Sequence, residues 1–300
     1  MNEFKTLSIE ENFLSIDEKY SNLDNSEFVI VSAPYEHTVS YGQGTANGPK
    51  AIIESSAYVE FYDNETDNEL CFDKGIATIE PINFQNQYDQ NALDILEETV
   101  KTLLDLNKFI VTLGGEHTIS YAPIKAHYNK YPNMCILQFD AHSDLRDTYQ
   151  DSKYSHACVI ARVAEFFPTY KIFQVGIRAQ CKEEAIFIKE NNINTFYASD
   201  IRTGKFGTNW QKSIVDKLGA EIYVTFDVDY FDPSLIPATG TPEPDGFFYS
   251  ETIDIFREIR RQGKKIIGLD VVELAPKSDF YYCDITISRL IYKILNLNNY

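Results

Sequence analysis

The sequence predicts an α/β protein whose parallel sheet is covered by helices on both faces. Two observations predict it. Short apolar runs rich in β-branched and aromatic residues alternate with segments of helical periodicity along most of the 300 residues, the pattern of strand–helix–strand crossovers. Polar, chemically capable residues recur where those runs end, and open parallel sheets gather ligands outside the carboxyl ends of their strands.

Taken in order, strands are expected at Phe28–Ala33, Gly75–Ile79, Phe109–Leu113, Met134–Asp140, Lys171–Val175, Asn194–Tyr197, Ile222–Asp227 and Lys265–Asp270. Helical periodicity falls between them, at Pro49–Tyr58, Ala92–Asn107, His117–Tyr131, Ala157–Phe166, Glu183–Glu190, Asn209–Leu218, Ser250–Gln262 and Thr286–Leu295. Several boundaries have a local cause. Gly48-Pro49 puts proline where a first helical turn tolerates its missing N–H, Gly114-Gly115 permits a sharp exit from a strand, and Ser250 is the expected N-cap of its helix. No Pro/Gly/Ser tract, low-complexity run or internal repeat divides the chain. A single domain over residues 1–300 is therefore expected, with residues 1–25 as an N-terminal arm.

The formal charge of −18 argues against nucleic acid or an anionic membrane as partner, since both call for basic surfaces. It suits a cationic small molecule. No apolar stretch reaches the length of a membrane span, and the opening Met-Asn-Glu-Phe-Lys-Thr has neither a basic n-region nor an apolar h-region. A cytoplasmic protein is expected. Its five cysteines, Cys71, Cys135, Cys158, Cys181 and Cys283, are odd in number and lack any Cys-x-x-Cys spacing, as reduced thiols do.

Asp140-Ala141-His142-Ser143-Asp144 and Asp227-Val228-Asp229 carry five potential metal ligands, each two residues from the next within its segment. Alternate residues of an extended strand share a face, so Asp140 with His142, and Asp227 with Asp229, can aim at one site. Each pair spans roughly 7 Å of backbone, which suits two metals about 3.5–4 Å apart. Asp144 lies too far along a straight strand, so the chain is expected to curl after Asp140. His117 joins from Gly114-Gly115-Glu116-His117, and Glu273 follows another strand. Four aspartates and two histidines supply ligands for two ions if Asp140 and Asp227 bridge them. Oxygen and imidazole donors without thiolate suit two Mn²⁺ per chain, with Co²⁺, Ni²⁺, Fe²⁺ or Zn²⁺ as substitutes.

Together with Phe226-Asp227-Val228-Asp229-Tyr230-Phe231-Asp232-Pro233 and Asp270-Val271-Val272-Glu273-Leu274-Ala275-Pro276, these motifs resemble the signatures of the ureohydrolase (arginase/agmatinase) family. The resemblance runs from Ser40-Tyr41-Gly42 to the final helix. It implies a three-layer α/β/α fold with a mostly parallel eight-stranded sheet, a dinuclear manganese site, and hydrolysis of a guanidinium group to urea and an amine by a metal-bridging hydroxide. It further implies that His117 and Asp144 hold one metal, His142 and Asp229 the other, and Asp140 and Asp227 both. Asp144 would also accept a hydrogen bond from the hydroxide, His156 would shuttle the proton, and Glu273 would pair with the guanidinium. Trimers or hexamers are implied as well.

The chemistry is consistent with those roles. A planar guanidinium presents paired N–H donors to a carboxylate, and a group that titrates near neutrality can protonate the departing amine. The segment Leu145 to Ser155 looks like that of agmatinases rather than arginases, and Asp147 and Asp151 are placed to favour a distal ammonium. Agmatine, cleaved to urea and putrescine, is the expected substrate; N1-aminopropylagmatine, 4-guanidinobutyrate and arginine are the alternatives. A zinc deacetylase acting on acetylpolyamines or acetyl-lysine is a rival, although the chain has no His-His dipeptide. A non-catalytic scaffold is the other. Of the remaining residues, His37 is a candidate to approach the pocket, Arg178 a loop anchor, Asp232-Pro233 a loop former, and His127 is expected to be peripheral.

Overall fold

Eight strands form where the alternating pattern puts them: β1 (Phe28–Ala33), β2 (Ile76–Thr78), β3 (Phe109–Gly114), β4 (Cys135–Phe139), β5 (Ile172–Val175), β6 (Asn194–Phe196), β7 (Glu221–Asp227) and β8 (Lys265–Val272). They make one sheet in the order β2-β1-β3-β8-β7-β4-β5-β6, and every pairing is parallel. The computed structural model describes residues 4–299; positions 1–3, at the start of the expected arm, and Tyr300 lie outside the described residues.

Successive strand residues face opposite layers, as the pleat requires. Phe28, Ile30, Val111, Leu113, Leu137, Phe139, Val224, Phe226 and Leu269 enter one core, which also takes in residues of helices Gly48–Ser56, Tyr249–Arg261 and Tyr282–Asn298. Val29, Val31, Ile110, Ile136 and Tyr223 face the other side, over helices Asp89–Asp105, Tyr121–Lys130 and Val159–Ala164. Three layers result. Phe13, Leu14 and Ile16 are buried in the first core, and Leu7 donates from its backbone to the Thr78 carbonyl at 2.8 Å, so the segment before β1 packs against the sheet.

Where the helices differ from expectation, the causes are local. The expected helix His117–Tyr131 divides into a 3-10 turn, His117–Ser120, and an α-helix, Tyr121–Lys130. Pro123 has no N–H to give to an α-helix continuing from the preceding turn. Ser250 is not an N-cap: the helix starts at Tyr249, and Glu251 turns back to accept the Phe248 N–H at 3.0 Å. The last helix extends to Tyr282–Asn298, beyond the apolar stripe that identified it.

His127 is fully buried, contrary to its expected peripheral position. Its Nδ1–H donates to the Pro123 carbonyl at 2.7 Å, and its ring stands 4.7 Å from that of Tyr223. The imidazole presses on the backbone of β8 at Gly268, where a Cβ would come within 2.3 Å of Nε2. The β7–β8 register slips by one residue just there, pairing Tyr223 with Gly268. Burial pushes this histidine down to about 4, against the upward pull of the Pro123 carbonyl. An unfolded histidine titrates near 6.5, so on acidification the unfolded chain takes up a proton that the folded chain refuses. Between pH 7.5 and pH 5 the wild-type protein should lose about 2 kcal/mol more stability than His127→Gln, measured as the difference in urea-unfolding free energy at the two pH values.

Candidate metal centre

The central strands β3, β8, β7 and β4 are neighbours, and their carboxyl ends are level: Leu113 pairs with Val271, Asp227 with Val272, and Phe139 with Phe226. Asp140 follows β4, Asp227 ends β7, Glu273 follows β8, and His117 opens the turn after β3. This brings the predicted residues together. His117 Nδ1 lies 3.2 Å from Asp140 Oδ2, 3.0 Å from Asp144 Oδ2 and 3.3 Å from Asp227 Oδ2. His142 Nδ1 lies 2.7 Å from Asp229 Oδ2 and 3.9 Å from Asp140 Oδ1. Two ligand sets, His117/Asp140/Asp144 and Asp140/His142/Asp229, thus share Asp140.

The backbone reaches this arrangement by turns, not by the strand alternation that the spacing suggested. Val228–Tyr230 is a 3-10 turn in which Asp229 N–H donates to Asp227 Oδ1 at 2.8 Å. Likewise β4 stops at Phe139, and His142 N–H donates to Asp140 Oδ1 at 2.6 Å. The expected curl takes place at Asp144, whose φ of 52° is left-handed; Glu273, at φ 65°, makes the corresponding bend after β8. Such backbone costs about 1 kcal/mol or more per residue and tends to mark functional positions.

The residues fit a pair of divalent cations. Thr225 Oγ1 donates to Asp270 Oδ1 at 2.7 Å and so accepts at 3.0 Å from His117 Nε2–H. The other ring nitrogen, Nδ1, faces three carboxylates and is buried without a hydrogen-bond partner among the described residues; burial pulls the imidazole down, but Asp140, Asp144 and Asp227 override this and hold it well above its usual range, so a bound cation would take the place of a proton there. Burial raises Asp140 to about 7, helped by the Asp144 and Asp229 charges, and raises Asp227 well above the carboxylate range, again with Asp229 and Asp140 adding to it. His142 is pulled down by burial, but Asp229 overrides this and holds it at about 11. Each direction expresses one excess: the pocket packs more negative charge than it can bury without cations.

Glu273 and His156 stand beside the cluster. Glu273 Oε1 accepts the His117 N–H at 2.6 Å and lies 3.7 Å from His156 Nδ1; burial, then the Glu116 charge, raises its carboxyl well above the usual range. His156 Nε2 is 3.2 Å from Ser40 Oγ, and burial lowers it. Both residues line a cavity of about 250 Å³ with His142, Asp144, Asp227 and Asp229. Asp147 and Asp151 do not: both are exposed, and Asp147 pairs with Arg162 at 2.8 Å. Beyond the cluster and Glu273, the carboxylates in the cavity lining are Glu184 and Glu243. His37 stacks on Tyr88 at 4.2 Å and is not among the lining residues.

Other supports went unassigned in the sequence. Glu116 accepts from His37 N–H, Thr38 N–H, Thr38 Oγ1 and Thr118 Oγ1 at 2.6–2.8 Å, and Thr38 Oγ1 in turn accepts the His156 N–H at 3.0 Å. Gly115 has to be glycine, because a Cβ there would lie 1.9 Å from the Tyr35 carbonyl oxygen. Arg178 does anchor loops: its guanidinium donates to the carbonyls of Gly176, Asp229, Tyr230, Phe231, Glu243 and Pro244 at 2.7–3.3 Å.

Against known proteins, a family model described as the arginase family matches residues 26–296. The N(1)-aminopropylagmatine ureohydrolase of Synechocystis sp. is 35% identical over 285 residues, 93% of this chain and 91% of that one. The agmatinase of Bacillus anthracis is 36% identical over 280 residues, 89% of this chain and 92% of that one. Proclavaminate amidino hydrolase from Streptomyces clavuligerus, at 22% identity, shares the fold with a TM-score of 0.85 over 98% of this chain and 97% of that one.

Lysine has three donors on a point charge and cannot reproduce the planar fork of Arg178. Arg178→Lys should strand several inward-facing carbonyls and cost about 2–3 kcal/mol of folding stability, read from the shift in a denaturant midpoint at unchanged slope.

Proposed function

The chain belongs to the arginase family, and we propose that it hydrolyses the guanidinium group of agmatine to urea and putrescine with two manganese ions held by His117, Asp140, His142, Asp144, Asp227 and Asp229. One observation carries this reading: a buried cluster of four aspartates, two histidines and no thiol opens into the cavity that also presents Glu273 and His156. Hard oxygen and imidazole donors favour manganese over softer ions. Two such ions, when bound, lower the pKa of a shared water toward about 7 and so supply hydroxide at neutral pH.

The protein's own groups do the rest. Glu273 is buried with a raised carboxyl, and an incoming guanidinium provides the opposite charge that such a site lacks, through paired N–H donors. Asp144, turned in by its left-handed backbone, is placed to accept a hydrogen bond from the attacking oxygen. Addition of water to the guanidinium carbon is followed by cleavage of its bond to the alkyl nitrogen. The departing amine needs a proton. His156, kept neutral by burial and steadied by Ser40, can take a proton up and hand it on. No covalent nucleophile is needed.

Agmatine is preferred over arginine because the cavity wall carries a carboxylate, Glu243, where an α-carboxylate would be repelled. Relatives at 35% and 36% identity carry the names N(1)-aminopropylagmatine ureohydrolase and agmatinase, and those two substrates share the guanidinium end.

A urea-release screen with agmatine, aminopropylagmatine, 4-guanidinobutyrate and arginine in excess Mn²⁺ tests the reading; urea from none of them would defeat it. Asp227→Ala should lose bound manganese and urea release together, with metal content measured by elemental analysis. His156→Ala should keep both metals while turnover drops by about 10²–10⁴. Metal loss in that variant would move His156 out of the acid–base role.

A further inference from the structure

We propose that Glu243 is the specificity-determining residue of the cavity, a carboxylate on an anchored loop that selects guanidines whose far end is cationic. The inference rests on the guanidine-hydrolase reading above. It adds the part of the substrate that does not react.

Three observations carry it. Glu243 lines the same cavity as Glu273 and His156, but on the other flank. Glu273 belongs with His117 and His156, at 2.6 and 3.7 Å, whereas Glu243 Oε1 faces His142 Nε2 at 3.8 Å. A molecule held at one end by Glu273 and attacked over the cluster therefore extends its other end along a wall that includes Glu243.

Second, the Glu243 carboxylate is available. Among the described residues it accepts no hydrogen bond, and its side chain is 37% exposed. The other two glutamates of the lining are already used: Glu273 accepts the His117 N–H at 2.6 Å, and Glu184 accepts the Leu145 N–H at 2.9 Å and the Cys181 N–H at 2.7 Å. The cation of the lining, Arg146, is balanced by Glu184 at 3.9 Å and lies over the Tyr149 ring at 5.0 Å.

Third, the backbone of Glu243 is held in place. Its carbonyl and that of Pro244 are two of those gathered by Arg178, which also binds the carbonyls of Asp229, Tyr230 and Phe231. One guanidinium thereby fixes the spacing between the segment carrying Glu243 and the turn carrying Asp229. A carboxylate on an anchored backbone, partly desolvated, with no hydrogen bond of its own and only the His142 imidazole near it at 3.8 Å, is suited to an ammonium, to which it can make a charge-assisted hydrogen bond.

The test uses the manganese-loaded protein and three guanidines of like length: agmatine with a cationic tail, butylguanidine with a neutral one, and 4-guanidinobutyrate with an anionic one. Glu243→Gln should lower kcat/KM for agmatine about 10- to 100-fold, chiefly through KM, while leaving butylguanidine within about twofold and improving 4-guanidinobutyrate. Glu243→Lys should invert the preference between agmatine and 4-guanidinobutyrate. Calorimetric binding of 1,4-diaminobutane gives a readout independent of turnover and should weaken in Glu243→Gln more than binding of butylamine does. An equal loss for all three guanidines, or loss of manganese, would overturn the proposal by assigning Glu243 to the positioning of His142. Unchanged agmatine kinetics would overturn it too. Absence of urea from every guanidine with the wild-type protein would instead defeat the hydrolase reading, and the diamine titration would still decide whether Glu243 recognises a cation.

Discussion

The structure is organised around one electrostatic constraint, the confinement of Asp140, Asp144, Asp227 and Asp229 in a buried space with only two imidazoles between them. Two like charges about 4 Å apart repel by roughly 4 kcal/mol at the effective dielectric of a protein near its surface. Such a cluster spreads apart unless its parts are held independently of one another. Parallel strands provide that hold, because each carboxylate starts from the end of an element whose own hydrogen bonds and packing fix it. Backbone donors then lock the side chains: Ala141 N–H to Asp229 at 3.0 Å, His142 N–H to Asp140 at 2.6 Å, and Asp229 N–H to Asp227 at 2.8 Å.

A buried polar row lies beneath this edge. Thr112, Asp270, Thr225, Gln138, Gln174 and Thr195 are register partners from β3 to β6 and therefore share one face of the sheet. All but Thr112, whose Oγ1 has no hydrogen-bond partner among the described residues, are linked as well as aligned. Thr195 donates to Gln174 at 2.9 Å, Gln174 to Gln138 at 2.8 Å, and Gln138 to Asp140 at 2.8 Å, while Asp270 collects Ser120, Tyr223 and Thr225 at 2.7–2.8 Å. On one side the row ends on Asp140, and on the other on His117 through Thr225. The bonded members specify one arrangement, since breaking any of them strands a buried polar group.

Much of this was legible in the sequence, for a physical reason. Strands buried on both faces read as apolar runs, and a carboxylate or imidazole just past such a run has few purposes other than a site. Hence the eight strands and the six cluster residues could be picked out from Asp140-Ala141-His142-Ser143-Asp144, Asp227-Val228-Asp229 and His117. The backbone that delivers them was not legible, because a spacing of two suits an extended strand and a 3-10 turn equally well; only the Asp229 N–H bond to Asp227 decides. The polar row did leave a trace: Gln138 in Ile136-Leu137-Gln138-Phe139 and Thr225 in Tyr223-Val224-Thr225-Phe226 are polar residues in strands otherwise fit for a dry core. Asp147 and Asp151 misled because charge and proximity in sequence do not fix direction. Asp147 turns outward to Arg162, and the cavity takes its carboxylate from Glu243, nearly a hundred residues further on.

The separation of those two acidic positions bears on how chemistry and selectivity are arranged. The cluster is built from strand ends and the turns that follow them, and nearly every donor that fixes it is backbone or a residue of the sheet. Glu243 sits on a loop tied to the cluster through the carbonyls that Arg178 binds, and a carbonyl bond does not depend on which side chain the residue carries. The loop's backbone is thus held independently of the side chain at position 243, whose one contact with the cluster among the described residues is His142 at 3.8 Å. An arginine that grips main chain from two segments is what holds the buried cluster and the side chain of Glu243 on opposite flanks of one cavity of about 250 Å³.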